Sequence, residues 1–275
     1  MPELPEVETI VRELAPRLEG FRIADARLMK TDVLRGVSKA RLLRTLKGNS
    51  FEEVGRRAKH AVFRLGSEHR LVIQPRMTGS LVVHERALTR DERRYAVLVC
   101  TLEDGRLLVY RDVRRLGTVW LLDEAGWAAY TMRIGPEPLE ETFTPFVLAE
   151  RLRGTAVAIK KAIMDQRRLA GVGNIYANEA LFEAGIDPSK RTSKLTLEEF
   201  ARLHTAVTGV LGRALAASGT TVRDYRTGTG ASGRFQFELK VYGRARQPCV
   251  VCGRRLTTTH AIDGRQTTLC ATCQR

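Results

Sequence analysis

The first eight residues, MPELPEVE, combine two prolines with three glutamates. Removal of Met1, which a small second residue such as proline permits, would leave the secondary amine of Pro2 at the N-terminus. An N-terminal amine has a pKa of about 8, so a useful fraction is unprotonated at neutral pH and can attack an aldehyde-like carbon to form an iminium. Glu3 stands beside it and could carry protons. Taken alone the signal is weak, because most chains that begin Met-Pro use the proline for nothing chemical.

Four of the five cysteines form two C-x2-C pairs that are seventeen residues apart: Cys249, Cys252, Cys270 and Cys273. Two such pairs, brought together by a β-hairpin, give the tetrahedral thiolate set that suits one Zn²⁺. Four protein ligands leave no open position for a reacting water, so the predicted zinc is structural. Two disulfides are the alternative, which a reducing cytosol disfavours. Cys100 lies in the apolar run YAVLVC and is expected to be a buried thiol.

The segment GVGNIYANEALF, residues 171–182, is a glycine-rich turn that opens a helix. Backbone amides at a helix N-terminus can hold a phosphate, and Asn174 would add a side-chain donor. The alternative is a tight turn between helices, with Asn174 as the helix cap.

The charge of the chain indicates a polyanionic partner. The formal net charge is +15 and the pI is about 10.2, and residues 221–275 hold ten Lys or Arg against three Asp or Glu. Nucleic acid is the commonest such partner. An anionic membrane surface is the rival, but no long helix with one basic and one apolar face is evident. A basic protein without a polyanionic partner is the third alternative.

No run reaches the roughly 18 apolar residues of a membrane span, and the N-terminus does not resemble a signal peptide. We therefore expect a cytoplasmic protein with no membrane partner.

The elements that must position these residues divide into two halves. Residues 5–18 have helical spacing, with Val7, Ile10, Val11 and Leu14 on one face. Residues 20–122 are typical of short strands, and the Glu-Asp-Gly of LEDGRLLVY favours a hairpin. The first half is therefore predicted to be a β-sandwich or barrel that carries the N-terminal helix.

The second half is predicted to be helical. Pro136, Pro138 and Pro145 indicate a linker, and Thr196 with Glu199 predicts a capping box. The run RTGTGASGR is expected to be a mobile loop. Asp263-Gly264 suits the turn of the cysteine hairpin.

Along its full length, the sequence resembles the formamidopyrimidine-DNA glycosylase family, bacterial enzymes that excise oxidised purines. The segments that carry the resemblance are PELPEVET, GRRAKH, RMTGSL, RDVRRLG, GPEPL, AIKKAIMDQ, GVGNIYANEALF, SGTTVRDY, VYGR and the cysteine pairs. The resemblance implies an α+β fold with three domains. These are an N-terminal catalytic β-sandwich over 1–132, a helical DNA-binding domain with a helix–two-turn–helix motif over 133–240, and a zinc finger over 241–275.

The resemblance implies a role for each matching residue. Pro2 would attack C1′ of the damaged nucleotide, the resulting Schiff base would permit β- and δ-elimination, and Glu3 would donate the proton at the sugar. Glu6 would organise that end of the helix. Lys59 would contact a lesion phosphate and assist elimination. The implied catalytic residues are Pro2, Glu3, Lys59 and Arg265, and the implied DNA-binding residues are Asn174, Met77, Arg114, Leu116, Gln74, Lys160, Arg93 and Tyr242.

Some positions depart from the family pattern. Leu116 stands where phenylalanine is usual in the trio, with Met77 and Arg114, that fills the gap left by a flipped nucleotide. Gln74 replaces a phosphate-binding histidine, for which Arg76 could compensate, and Val113 replaces a usual proline. Residues 220–233 are expected to hold the damaged base.

The resemblance therefore implies a monomeric, nucleoid-associated repair enzyme, a glycosylase and AP lyase with one structural Zn²⁺. Its partner would be double-stranded DNA containing oxidised purines or abasic sites. Two alternatives remain. One is an enzyme for oxidised pyrimidines similar to endonuclease VIII, against which Leu4-Pro5 argues. The other is a noncatalytic zinc-finger protein that binds damaged DNA.

Overall fold

The computed structural model describes residues 2–221, 225 and 227–275. The chain divides into two units, Met1–Met132 with Ala217–Arg234, and Arg133–Ala216 with Phe235–Arg275. We call Ala217–Arg234 the returning segment, because it rejoins the first unit after the chain has built most of the second. The predicted division into three domains stays a prediction, and it did not include this return.

The N-terminal helix α1 (Leu4–Leu18) forms as its sequence predicts. Its first turn carries a proline, and a capping box joins Glu3 and Glu6. Val7, Ile10, Val11 and Leu14 are all buried, which confirms the predicted apolar face.

Within the described residues, the first unit contains nine strands. They are β1 (Ile23–Leu28), β2 (Leu34–Arg35), β3 (Phe51–Arg57), β4 (His60–Leu65), β5 (Arg70–Gln74), β6 (Gly79–His84), β7 (Ala96–Leu102), β8 (Leu107–Asp112) and β9 (Thr118–Leu122). One sheet has the order β1-β7-β8-β6 and the other the order β2-β9-β5-β4-β3. All pairs are antiparallel except β2 with β9. The apolar side chains of both sheets and of α1 form one core, which confirms the predicted β-sandwich.

Short helices lie between and after these strands: α2 (Lys39–Leu46), α3 (Arg90–Arg94) and α4 (Glu124–Thr131). The prediction of strands alone over residues 20–122 is wrong for α2 and α3. In α2 only Leu42 and Leu46 are buried, and Ser38 caps the first turn. A helix that contributes two apolar side chains to the core leaves little periodic signal among its basic residues.

The second unit is helical and ends in a hairpin. Its elements are α5 (Pro145–Arg153), α6 (Ile159–Met164), α7 (Asn174–Ala184), α8 (Leu197–Ala216), β10 (Thr257–Thr259) and β11 (Thr267–Leu269). Pro145, which the sequence placed in a linker, begins α5, where its missing N–H costs nothing. The predicted capping box of α8 is confirmed, because Thr196 and Glu199 exchange hydrogen bonds of 3.0 and 3.2 Å. Gly264, at φ +75°, turns the chain between β10 and β11.

No helix in the described ranges is both long and apolar enough to cross a membrane.

Candidate active site

The predicted reactive end lies at the start of α1 and is buried. Pro2 is buried and Glu3 is 2% exposed. The backbone N–H of Glu3 donates to Glu6 Oε2 at 2.8 Å, and the backbone N–H of Thr220 donates to Glu6 Oε1 at 2.7 Å. One buried carboxylate therefore joins the N-terminus to the returning segment. These contacts fit the organising role that the resemblance implies for Glu6.

The returning segment fits closely against α1. Gly219 has φ +79°, and a Cβ there would lie 2.8 Å from Glu6 Oε1, so only glycine suits the position. The hydroxyl of Tyr225 lies 3.3 Å from the Glu6 carbonyl oxygen and 3.2 Å from that of Ser218. Burial, followed by the charge of Glu6, raises the pKa of Tyr225, so the phenol stays protonated and can donate.

The base-binding role predicted for residues 220–233 stays a prediction. Residues 222–224 and 226 of that stretch lie outside the described residues. The described part is held at Thr229, whose backbone N–H donates to Glu13 Oε2 at 2.7 Å, and at Gly233, whose N–H donates to Thr221 Oγ1 at 2.9 Å.

Lys59 lies in the tight turn between β3 and β4 and is 5% exposed. The ring of His60 anchors this turn, with Nδ1 3.1 Å from the Arg57 carbonyl oxygen and Nε2 2.9 Å from the Tyr130 hydroxyl. Burial lowers the pKa of His60 to about 4, so the ring is neutral at physiological pH. Since a carbonyl only accepts, Nδ1 carries the proton and Nε2 accepts from Tyr130.

The three residues predicted to fill a gap in DNA lie on two loops of the first unit. Met77, on the loop between β5 and β6, is 47% exposed, and Leu116, between β8 and β9, is 39% exposed. Arg114 is exposed on the second of these loops. The guanidinium of Arg76 donates to Gln74 Oε1 at 3.1 Å, which places a cation beside the position where the family pattern has a histidine.

Arg93 is exposed on α3, and its Nε donates to the Leu88 carbonyl at 3.0 Å. This contact fixes the side chain locally and does not bear on the predicted binding of DNA by Arg93, which stays a prediction.

The four cysteine sulfurs of the second unit form a metal-sized cluster. All lie within 4.8 Å of one another, with Cys249 to Cys273 at 3.9 Å and Cys252 to Cys270 at 3.5 Å. Tetrahedral zinc thiolates with bonds of about 2.3 Å place sulfurs about 3.8 Å apart, whereas a disulfide bond is about 2.05 Å long. The residues therefore fit one structural Zn²⁺, and the disulfide alternative is wrong.

The start of α7 packs against the zinc hairpin. Gly173 is the N-cap and Asn174 the first helical residue, so Asn174 is not the helix cap. Asn174 Nδ2 donates to the Gln266 carbonyl at 3.1 Å, one residue from the exposed Arg265. Asn178 Oδ1 accepts from the Thr268 N–H at 2.8 Å. The structure thus brings Asn174 and Arg265, two predicted phosphate ligands, to the tip of one hairpin.

Lys160 is buried beneath the zinc hairpin. It is 0% exposed, and its Nζ lies 2.8 Å from Thr267 Oγ1 and 3.5 Å from Asp263 Oδ1. Its predicted contact with DNA stays a prediction. Asp263 also accepts from the backbone N–H of Arg265 at 3.0 Å, so Lys160 supports the turn that presents Arg265.

Tyr242 follows a similar pattern. The buried carboxylate of Glu179 accepts backbone hydrogen bonds at 2.8, 3.0 and 2.7 Å from Lys240, Val241 and Tyr242. Burial raises the pKa of Glu179, while these three donors oppose that rise. The side chain of Tyr242 is half-buried, and its predicted DNA contact stays a prediction.

Sequence reasoning missed the residues that hold these loops. Asn178 and Glu179 lie within GVGNIYANEALF, where polar side chains on a helix that is otherwise apolar are a signal of buried hydrogen bonding. No comparable signal exists for His60 or Tyr225, because each has one partner far away in the sequence, Tyr130 at 70 positions and Glu6 at 219 positions.

Comparison with known proteins supports the same assignment along the whole chain. Residues 1–119 match the formamidopyrimidine-DNA glycosylase N-terminal domain, residues 134–226 match the H2TH domain of the same enzymes, and residues 246–275 match a zinc finger found in FPG and IleRS. A formamidopyrimidine-DNA glycosylase of Thermomicrobium roseum is 42% identical, over 100% of this chain and 99% of that protein.

Two solved structures are similar throughout. One is a mutant of the Lactococcus lactis FPG in complex with DNA containing Fapy-dG, and the other is MutM in complex with DNA containing carbocyclic 8-oxo-G. Each has a TM-score of 0.90 and 32% identity, over 100% of both chains.

The α+β fold, the zinc hairpin and the buried proline-glutamate end define a DNA glycosylase with a zinc finger. The chain belongs to the formamidopyrimidine-DNA glycosylase family, whose members are glycosylases and AP lyases, and it is an enzyme of that class.

Proposed function

We propose that this enzyme excises oxidised purines, 8-oxoguanine and formamidopyrimidines, from duplex DNA in base excision repair. It also cleaves abasic sites and acts as a monomer. The observation that carries the proposal is the fixed N-terminus, in which Glu6 accepts from the backbone of both Glu3 and Thr220. The Lactococcus and MutM proteins that it resembles bind DNA with these two lesions.

The Pro2 nitrogen would act as the nucleophile. Its lone pair forms the bond to C1′ as the C1′–base bond breaks, and the base leaves with the electron pair of the broken bond and gains a proton. Loss of the amine proton and opening of the sugar ring give an iminium between Pro2 and C1′. Glu3, adjacent and buried, transfers protons at the sugar.

The iminium then acts as an electron sink for strand cleavage. Removal of a C2′ proton expels the 3′ phosphate by β-elimination, and a second elimination expels the 5′ phosphate. Lys59 is fixed at the turn of the β3–β4 hairpin, where it would hold the lesion phosphate and assist these steps.

The second unit would supply phosphate binding. Asn174 and Arg265 lie around Gln266, so a side-chain amide and a guanidinium can reach neighbouring phosphate oxygens. The zinc ion orders the hairpin that carries Arg265. The surplus of basic residues over 221–275 suits the same partner.

The damaged nucleotide must leave the base stack to reach the enzyme, and its departure leaves a gap. This gap would be filled by the side chains of Met77, Arg114 and Leu116. Leucine keeps the apolar contact of the usual phenylalanine but cannot stack as an aromatic ring does. We therefore expect weaker discrimination of the opposite base, with catalysis retained.

Borohydride trapping tests the proposal. The enzyme is mixed with duplex DNA containing 8-oxoguanine opposite cytosine, the complex is reduced, and mass spectrometry locates the cross-link. The expected result is an adduct on Pro2 with Met1 absent. Pro2→Gly, the matched variant, is expected to lose trapping while keeping most of its affinity for lesion DNA.

Each other outcome contradicts a different part of the proposal. Full base excision by Pro2→Gly would refute the nucleophile. Trapping only on DNA with oxidised pyrimidines would show that the substrate is that of the alternative enzyme similar to endonuclease VIII. Tight binding without an adduct on any lesion, by a chain lacking Met1, would favour the noncatalytic alternative.

A further inference from the structure

Three large apolar side chains stand exposed on two loops of the first unit. Met77 is on the loop between β5 and β6, and Val113 and Leu116 are on the loop between β8 and β9. Their exposed fractions are 47%, 44% and 39%. Apolar side chains of this kind insert between base steps in proteins that deform DNA. We call the residues 75–78 and 113–117 the wedge loops.

A buried carboxylate lies beneath both wedge loops. Asp112, the last residue of β8, is 1% exposed. Its Oδ2 accepts from the Gly117 N–H at 2.8 Å and from the Tyr110 hydroxyl at 3.1 Å. Its Oδ1 accepts from Thr78 Oγ1 at 2.5 Å. The carboxylate of Asp112 therefore connects both ends of the 113–117 loop to the C-terminal end of the 75–78 loop.

Thr78 completes the connection. Its hydroxyl has one proton, which it donates to Asp112, and its lone pairs accept the Arg114 N–H at 3.1 Å. Both wedge loops are thereby joined through one oxygen atom. In this connection the 75–78 loop supplies the Thr78 side chain, and the 113–117 loop supplies the backbone N–H of Arg114.

The backbone around this connection is constrained. Arg76 and Arg115, one on each loop, have φ of +52° and +51°, a conformation that non-glycine residues adopt only when their surroundings impose it. A Cβ on Gly117 would lie 2.0 Å from the Tyr110 hydroxyl and 2.6 Å from the Gln74 carbonyl oxygen. The loops therefore pack too closely for a larger residue at this point.

We propose that Thr78 is a positioning residue that joins the two wedge loops, through Asp112, into one rigid wedge that includes Val113. The inference rests on the proposed function, in which Met77, Arg114 and Leu116 enter the stack. Unstacking a base step costs a few kcal/mol. If the two loops could move independently, they would be displaced before the bases separated. In this proposal Thr78 acts through its hydrogen bonds to Asp112 and Arg114 and not by contact with the sugar or the base.

Thr78→Val tests the inference, because valine has the shape of threonine but lacks its hydroxyl. Thr78→Ser is the matched control, since it keeps the hydroxyl. Each variant is assayed on duplex DNA with 8-oxoguanine opposite cytosine or adenine, and on a single-stranded oligonucleotide with an abasic site. Single-stranded DNA has no opposite base and no gap to fill, so trapping there reports Pro2 chemistry without the wedge.

For Thr78→Val we expect a fall of about 10- to 100-fold in excision from the duplex, as for loss of a hydrogen bond to a charged group. The preference for cytosine over adenine should also shrink, while trapping on single-stranded abasic DNA stays at the wild-type rate. Thr78→Ser should retain both activities. Thr78→Ala, which adds no bulk, replaces Thr78→Val if the latter unfolds.

Wild-type excision by Thr78→Val, or an equal loss on single- and double-stranded DNA, would overturn the inference. If the wild-type enzyme itself traps neither substrate, the proposed function fails instead, so the two failures are distinguishable.

Discussion

The two units hold their functional loops by different means. In the first unit, the buried carboxylate of Glu6 accepts hydrogen bonds from the N–H groups of Glu3 and of the distant Thr220, and the buried carboxylate of Asp112 accepts one from the N–H of Gly117 in the adjoining loop. In the second unit, four thiolates placed to bind one Zn²⁺ hold a hairpin whose strands have three residues each. Such short strands are not stable in isolation, whereas the first unit has a large core.

The difference teaches what each kind of support suits. A carboxylate within a packed core fixes a reacting group to within a hydrogen-bond length, and each N–H contributes separately. A metal ion orders a small exposed element that has almost no core. Its whole contribution to the stability of that element is lost at once when the ion is removed. Three changes test this difference: removal of the zinc ion, loss of the Glu6 carboxylate and loss of the buried His60 ring.

Removal of zinc should have the largest effect. Cys270→Ser, or chelation, is expected to unfold the hairpin and lower the affinity for lesion duplex by at least about 100-fold, because structural zinc contributes folding free energy directly. Fluorescence anisotropy measures the affinity, and zinc release is followed with a chromogenic chelator. Cys100→Ala, which alters the buried thiol outside the cluster, is the control. Unchanged affinity without zinc would mean that Lys160 and Asn178 suffice to hold the hairpin.

Glu6→Ala should have the next effect. It leaves the N–H groups of Glu3 and Thr220 without their acceptor, at about 1–3 kcal/mol each, so the rate of borohydride trapping should fall about 10- to 100-fold. Glu6→Gln keeps one carbonyl oxygen and should be intermediate. Thermal unfolding of both variants separates a local loss from a global one. Wild-type trapping by Glu6→Ala would show that the carboxylate does not organise the reacting end.

The third prediction concerns His60, whose loss should affect the stability of the fold and not the reaction. Its pKa is lowered by burial from 6.5 to about 4 in the folded protein, so the unfolded chain binds the proton more readily. Its stabilising contribution is complete above about pH 6.5 and is lost as the pH falls towards 4. Between about pH 7.5 and 5 this amounts to about 2 kcal/mol.

Urea unfolding at the two pH values measures this loss. His60→Phe cannot titrate and should show a correspondingly smaller loss of stability than the wild type. Equal pH dependence in His60→Phe and the wild type would contradict the buried, neutral ring.

The sequence predicted what local patterns determine. Helical spacing predicted the buried face of α1, and cysteine spacing predicted the metal site. The Asp-Gly pairs predicted turns, and Gly105 and Gly264 do have positive φ. The resemblance to a family supplied the candidate reactive residues, which spacing alone could not.

Long-range pairings explain what the sequence did not predict. Glu6 and Thr220 are 214 positions apart, and no periodicity announces such a pair. The resemblance implies a DNA contact for Lys160, but its hydrogen bond to Thr267, 107 positions later, could not be predicted from any local pattern. The helix α2 was missed because two buried leucines are too few to show a period.

The returning segment has a consequence for biosynthesis. The first unit needs residues up to Arg234 of a 275-residue chain, although its sheets are finished by Leu122. A ribosome makes the chain from the N-terminus, so the sandwich can fold early while Glu6 still lacks the N–H of Thr220. The geometry around Glu6 is therefore complete only when translation is nearly finished, and on the proposed mechanism a nascent or prematurely terminated chain would lack the arrangement that Pro2 needs to react.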